Sequence, residues 1–193
     1  MLHFISKQLR SWILDLIFPA ICLLCEEKCT GYLCERCWEF CTPIDPTLRC
    51  KHCFSELRDD FHCGFCKVNR SFMGKRAFVF DPLAPTQHIL SLPKASACFA
   101  YLQWQRLDWT APTLILPMPC PEAEAIGKEL SLLMHLPFVK GLYLDLCCKD
   151  PQLMMHERIL LFALEARDED LQKVSDALYL VGAREVNILQ MHY

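Results

Sequence analysis

The chain has 193 residues, a formal net charge of -3 and 22% charged residues, which is room for one hydrophobic core plus a small appendage and too little charge for a disordered tail. The 53% hydrophobic fraction is swollen by fourteen cysteines. Residues 1–76 carry eleven Lys and Arg against nine Asp and Glu, and residues 77–193 carry nine against fourteen, so neither part has the cationic surplus on which bulk nucleic-acid attraction depends.

Residues 4–18 place Phe4, Ile5, Leu9, Ile13, Leu14, Ile17 and Phe18 close to helical spacing, and Pro19 ends the pattern. An amphipathic helix over residues 1–21 is expected, packing on its own protein. Lys7 and Arg10 ahead of the apolar run Trp12–Phe18 imitate a secretion signal, but Asp15 interrupts the run and no small-x-small cleavage site follows. No stretch reaches the roughly 18 apolar residues that a spanning helix needs. A cytoplasmic protein with no membrane span is therefore expected, and in that reducing compartment paired cysteines serve as metal ligands more readily than as disulfides.

Ten of the fourteen cysteines fall within residues 22–66. Eight of them form four C-x-x-C pairs: Cys22/Cys25, Cys34/Cys37, Cys50/Cys53 and Cys63/Cys66. Eight residues separate the first two pairs and nine the second two, which reads as two similar ribbons in tandem over residues 22–70. Each C-x-x-C puts two sulfurs on one side of a knuckle, and two facing knuckles complete a tetrahedral shell of four sulfurs. Such a shell leaves no open coordination position, so the expectation is two structural Zn²⁺ whose binding energy replaces the core that so short a segment cannot build. Eight thiolates and two dications would turn the formal surplus of two positive charges in residues 1–76 into about two negative.

Thiol-redox chemistry and iron–sulfur ligation are the competing uses. The first usually needs a single C-x-x-C on a strand-to-helix turn, and the second is the weaker competitor. Cys29, Cys41, His52 and His62 lie nearby and are read as non-ligands, because the pairs already fill two sites. Cys98, Cys120, Cys147 and Cys148 are read as small core residues.

After Cys66 the texture changes, with a boundary near Lys67–Lys75. Strands are expected at Ala77–Phe80, Thr113–Leu116, Val139–Leu144, Ile159–Leu164 and Glu185–Leu189, several too continuously apolar to be half-exposed. Helices are expected over Ala95–Arg106, Glu122–Met134 and Asp168–Val181, the last with Leu171, Val174, Leu178 and Val181 on one stripe and Gly182 as its stop. This alternation predicts an α/β unit over residues 77–193 with a parallel sheet and flanking helices.

The run Leu14-Asp15-Leu16-Ile17-Phe18-Pro19, then Cys22-Leu23-Leu24-Cys25 and Leu33-Cys34-Glu35-Arg36-Cys37-Trp38, resembles the start of ComF-family proteins. Leu114-Ile115-Leu116-Pro117-Met118-Pro119 is similar to that family's strand ending in P-x-P, and Val181-Gly182-Ala183-Arg184-Glu185-Val186 to its last helix-to-strand turn. The resemblance implies a double zinc ribbon followed by a reduced type I phosphoribosyltransferase fold, with some members tied to competence and DNA uptake.

The family's phosphoribosyl-pyrophosphate site is a strand ending in two aspartates, then a Thr-Thr-Gly-Ala-Thr loop that opens a helix. Counting back from Gly182 without gaps, the aspartates fall on Phe162 and Ala163, and the loop on Ala166, Arg167, Asp168, Glu169 and Asp170. A phenyl ring and a methyl hold neither ribose hydroxyls nor Mg²⁺. At ~6 Å and an effective dielectric near 20, each carboxylate facing a phosphate charge is repulsive by roughly 3 kcal/mol before screening. Asp168 or a neighbour is expected instead to cap the helix and complement its dipole. The Arg-Gly-Phe-Asn-Gln stretch of the family is absent, and Glu157-Arg158 reads as an exposed ion pair. His135, His156 and His192 have no catalytic partner in recognisable spacing.

Three functions follow as expectations. The first is a catalytically inactive, zinc-binding, ComF-like protein that offers its surfaces to a protein partner. The second is a phosphoribosyltransferase with a site rebuilt around Glu165, Asp168 or Asp170. The third is single-stranded DNA binding, with Arg49, Lys51, Arg58, Lys67, Arg70, Lys75 and Arg76 interleaved with Phe54, Phe61, Phe65 and Phe72; against it, these aromatics also suit a mini-core between knuckles.

Overall fold

The computed structural model describes residues 21–22, 25–29, 33–40, 43–57, 63–64, 66, 74–81, 87–140 and 155–192. The N-terminal helix expected before residue 19 lies outside them, as do most of residues 139–144 and most of the boundary at 67–75. The chain divides into two compact units, Met1–Thr42 and Pro43–Tyr193. The division falls between the two cysteine clusters, so the second ribbon shares a unit with the sheet.

Four parallel strands form that sheet: β1 (Arg76–Phe78), β2 (Leu114–Pro117), β3 (Arg158–Ala163) and β4 (Glu185–Gln190), in the order β1-β4-β3-β2. β3 lies inside, and from Ile159 to Ala163 it is buried, which is why its sequence runs apolar without alternation. Beyond β2, Ile115 pairs with Phe138 as an isolated parallel bridge, and Val139 N–H donates to the Ile115 carbonyl at 3.2 Å. Of the strand expected at 139–144, Val139 and Lys140 form no strand and residues 141–144 lie outside the described residues.

Helix α1 (Glu35–Phe40) belongs to the smaller unit; α2 (Gln87–Leu90), α3 (Pro93–Arg106), α4 (Pro121–Met134) and α5 (Asp168–Leu180) belong to the larger. Leu171 and Leu178 of α5 pack on Leu114, Leu116, Ile159, Leu161, Val186 and Ile188, one face of the sheet taken at the two-residue strand period. α4 covers the other face: a Cβ added to Gly127 would meet Pro117 at 3.1 Å and Phe138 at 3.4 Å. α3 packs beside α4 and sends Phe99 edge-on to Phe80, centroids 5.1 Å apart.

α5 ends as its sequence indicates. Gly182 takes φ +95, Ala183 N–H reaches the Leu178 carbonyl and Gly182 N–H that of Tyr179, both at 3.0 Å, a Schellman close that only glycine enters without strain. α4 closes in a similar way on His135 at φ 53, with Leu136 N–H donating to the Ser131 carbonyl at 3.0 Å. Histidine gives no sequence signal for that turn. Among the described residues no helix is long and apolar enough to cross a membrane.

Candidate metal centres

The first knuckle of each ribbon is built on one plan, offset by 28 residues. Ile21 bridges Lys28 antiparallel, as Arg49 bridges Glu56. Cys22 N–H donates to the Glu27 carbonyl at 2.8 Å and Glu26 N–H to the Cys22 carbonyl at 2.9 Å; Cys50 N–H donates to Ser55 and Phe54 N–H to Cys50, both at 2.9 Å. The residue after the second cysteine takes the left-handed conformation each time, Glu26 at φ 59 and Phe54 at φ 61. This tight reversal aims both sulfurs of a C-x-x-C to one side. Cys37 N–H on Cys34 Sγ at 3.4 Å and His52 N–H on Cys50 Sγ at 3.5 Å point amide dipoles at the sulfurs.

The four sulfurs of Cys22, Cys25, Cys34 and Cys37 lie within 4.8 Å of one another, and so do those of Cys50, Cys53, Cys63 and Cys66. Contacts between the pairs are 3.6 Å for Cys25–Cys34, 3.7 Å for Cys50–Cys66 and 3.4 Å for Cys53–Cys63. A tetrahedron with metal–sulfur bonds of about 2.3 Å has edges of about 3.8 Å, so each group fits one ion. A disulfide needs about 2.05 Å, and a four-iron cluster, taking one thiolate per iron, spreads its ligands wider than a single ion does.

Electrostatics argue the same way. The Cys66 amide holds the Cys63 thiol down to about 7, whereas burial together with hydrogen bonds shared with Cys53 and Cys50 pushes the Cys66 thiol well up. Burial and the thiols of Cys34, Cys25 and Cys22 likewise push Cys37 up. A cage of four thiols resists losing its later protons because each new anion faces those already formed. A dication at the centre reverses that balance.

All eight cysteines singled out by spacing are thus brought together, four and four. Cys29 and the exposed His52 stand in neither group, while Cys41 and His62 lie outside the described residues. Cys98 is exposed on α3 rather than in the core, because its position on the helix falls between Ala97 and Phe99, which take the buried face. Cys120 is half-buried and accepts the Ala123 N–H at 3.3 Å as the N-cap of α4. Cys147 and Cys148 lie outside the described residues.

The second ribbon is held to the sheet of its own unit. Phe54, 3% exposed, packs on Phe78 with ring centroids 6.2 Å apart, and Arg76 N–H donates to the His52 carbonyl at 2.7 Å. Buried Gln103 donates from one Nε2 to the carbonyls of Ile44 at 3.0 Å and Phe78 at 2.9 Å. Sequence reasoning gave Phe54 no more than a shared place among ribbon aromatics. Its position directly after a C-x-x-C, where glycine fits best, was the available signal that something holds a phenyl ring there.

At the other candidate site, β3 ends on buried Phe162 and Ala163, and Ala166 and Arg167 lead into α5. Arg167 is the N-cap residue but makes no side-chain cap bond, and Asp168 begins the helix. Asp168 is therefore not a cap. Its Oδ1 lies 2.6 Å from Arg76 Nη1, whose other nitrogen donates to Gln190 Oε1 at 2.8 Å; Gln190 Nε2 donates to the Ala166 carbonyl at 3.3 Å. Asp170 Oδ2 meets Arg167 Nε at 3.0 Å, and Glu169 is exposed. The acidic first turn still complements the helix dipole, with Arg76, its Cζ over the Phe78 ring at 4.6 Å from the centroid, as its counter-ion.

Of the cation and aromatic set, Phe54 is core, Lys51 Nζ lies 3.7 Å from Asp108 Oδ2, Lys75 Nζ donates to the Asp108 carbonyl at 3.3 Å, and Arg76 is engaged as described. Arg58, Phe61, Phe65, Lys67, Arg70 and Phe72 lie outside the described residues. Glu157 and Arg158 do not pair with each other: Glu157 accepts from the Thr113 hydroxyl, and Arg158 Nε donates to the Ala111 carbonyl at 2.7 Å. No family model, curated protein or solved structure matches the chain.

Proposed function

We propose that this chain is a catalytically inactive zinc protein of the ComF kind, in which two structural ions order the ribbons and a phosphoribosyltransferase-like α/β unit serves as a binding scaffold for a protein partner in the cytoplasm. The observation that carries the reading is the pair of four-sulfur cages, each with every sulfur within 4.8 Å of the others. Cys22, Cys25, Cys34 and Cys37 would hold one ion, and Cys50, Cys53, Cys63 and Cys66 the other. Zinc is the metal best suited to closed tetrahedral thiolate sites in paired C-x-x-C knuckles, and it supplies folding energy with no chemistry of its own there.

The catalytic half of the reading rests on two features. No carboxylate ends β3, where Phe162 and Ala163 stand. The start of α5 is filled by the protein's own anion, Asp168, already neutralised by Arg76. A phosphate arriving there would displace an ion pair and face Glu169 and Asp170. DNA uptake or processing is the setting that the ComF resemblance suggests for the partner.

Metal analysis together with calorimetric titration of phosphoribosyl pyrophosphate and Mg²⁺ tests both halves. Two zinc equivalents per chain and no heat of binding are expected. Mg²⁺-dependent pyrophosphate release would overturn the inactive scaffold.

A further inference from the structure

The two cages share a plan but not a setting. At the 28-residue offset Glu27 corresponds to Ser55, and the two side chains meet their cysteines in opposite senses. Ser55 Oγ lies 3.1 Å from Cys53 Sγ, where a hydroxyl donates to a metal-bound thiolate and stabilises it. Glu27 Oε2 lies 3.8 Å from Cys25 Sγ, and a carboxylate beside a thiolate sets two anions together. Exposure separates the same two positions: Cys25 is exposed and its counterpart Cys53 half-buried, while Cys22 and Cys50 are both buried and the other four cysteines half-buried. The second cage is also braced on β1 through Phe54 and the His52 carbonyl.

Resting on the two-zinc reading, we propose that the first cage is an oxidant-labile metal site, with Cys25 the sulfur attacked first and Cys34 its resolving partner, while the second cage retains its ion. The oxidant class is a peroxide. The Cys25 thiolate attacks one peroxide oxygen; the O–O bond breaks, hydroxide leaves, and the sulfur becomes a sulfenic acid. Cys34 Sγ, 3.6 Å away, then attacks that sulfur as thiolate; the S–S bond forms, the S–O bond breaks, and a second hydroxide leaves. Two thiolates have given two electrons to one peroxide, and two protons from solvent turn the hydroxides into water. Left with two thiolates, the ion dissociates. The same chemistry at Cys53 and Cys63 is slower because Cys53 is half-buried where Cys25 is exposed, and Cys53 is stabilised by Ser55.

The test loads the full chain with zinc, confirms two equivalents, adds hydrogen peroxide and follows release with a chromogenic chelator, while mass spectrometry locates the oxidised thiols. One equivalent leaving at least roughly tenfold faster than the other, with a Cys25–Cys34 disulfide, is the expected result. Exchanging the neighbours, Glu27→Ser and Ser55→Glu, should slow the fast phase and speed the slow one, each by roughly tenfold. Both ions leaving in one phase, or the second cage oxidising first, overturns the inference and leaves the two-zinc reading standing. A chain that starts without zinc overturns both.

Discussion

Phe54 and Phe78 meet with ring centroids 6.2 Å apart and planes tilted by 54°, and Phe54 makes this contact from a backbone at φ 61. The knuckle demands the left-handed turn; the core behind β1 demands a large apolar side chain. Glycine would satisfy the first and phenylalanine satisfies both, at a backbone cost of about 1–2 kcal/mol set against a burial of larger value.

Substitution should separate these contributions. Phe54→Ala removes the ring and keeps the strained backbone, so it should cost about 3–5 kcal/mol of the stability of the larger unit. Phe54→Gly removes the ring but releases the strain and should be the milder change by about 1 kcal/mol, reversing the usual order of the two residues. Urea unfolding of the zinc-loaded chain measures both.

Arg76 and Asp168 lie 2.6 Å apart, but Asp168 is 67% exposed and Arg76 only 13%. Asp168→Asn should therefore cost at most about 1 kcal/mol, and Arg76→Met more, since it also leaves Gln190 Oε1 without its donor. A double-mutant cycle should give a coupling of about 1 kcal/mol that shrinks as salt is raised.

Gly74 approaches β4 so closely that an added Cβ would stand 1.9 Å from the Val186 carbonyl oxygen, with carbonyl carbon behind it at 3.1 Å. Neither atom is free to give way. Gly74→Ala should destabilise by about 3 kcal/mol or more, whereas Gly64→Ala, with nothing within 4 Å, should change stability by less than about 0.5 kcal/mol. Thermal or denaturant unfolding of the two variants side by side reads the contrast.

Acid should weaken the end of β4 through one side chain. Burial lowers the pKa of His192 below its ordinary 6.5, with Glu165 pulling it back the other way. Folding favours its neutral form, whose ring lies tilted 6.1 Å from Phe80, and the unfolded chain takes up the proton first. Stability is thus whole above about pH 6.5 and falls as pH drops through the folded-state value. His192→Asn should flatten the stability–pH curve between pH 7 and 5, measured by unfolding midpoints.

The sheet was legible because its strands carry opposite kinds of pattern from its helices: the uninterrupted Ile159–Ala163 is buried on both faces, and Leu171, Val174 and Leu178 return at helical spacing. The cysteine cages were legible because knuckle geometry is local and shows in spacing. What sequence did not carry was which surfaces meet. The strand order β1-β4-β3-β2, the docking of the second ribbon on β1, and the counter-ion that Arg76 provides for Asp168 across 92 residues all depend on tertiary contacts. Cys98 was misplaced because cysteine packs as a small apolar residue in many cores, and nothing in its spacing marks the outward side of α3. The left-handed close on His135 escaped for the reverse reason: the backbone conformation is special and the residue is not.

Zinc content with X-ray absorption on the purified chain tests the central claim most directly. Two equivalents, each showing four sulfur neighbours at about 2.3 Å, with one equivalent remaining in a Cys22→Ser/Cys25→Ser chain, is the expected result. A folded chain free of metal, or one whose eight cysteines are found paired as disulfides, would contradict it.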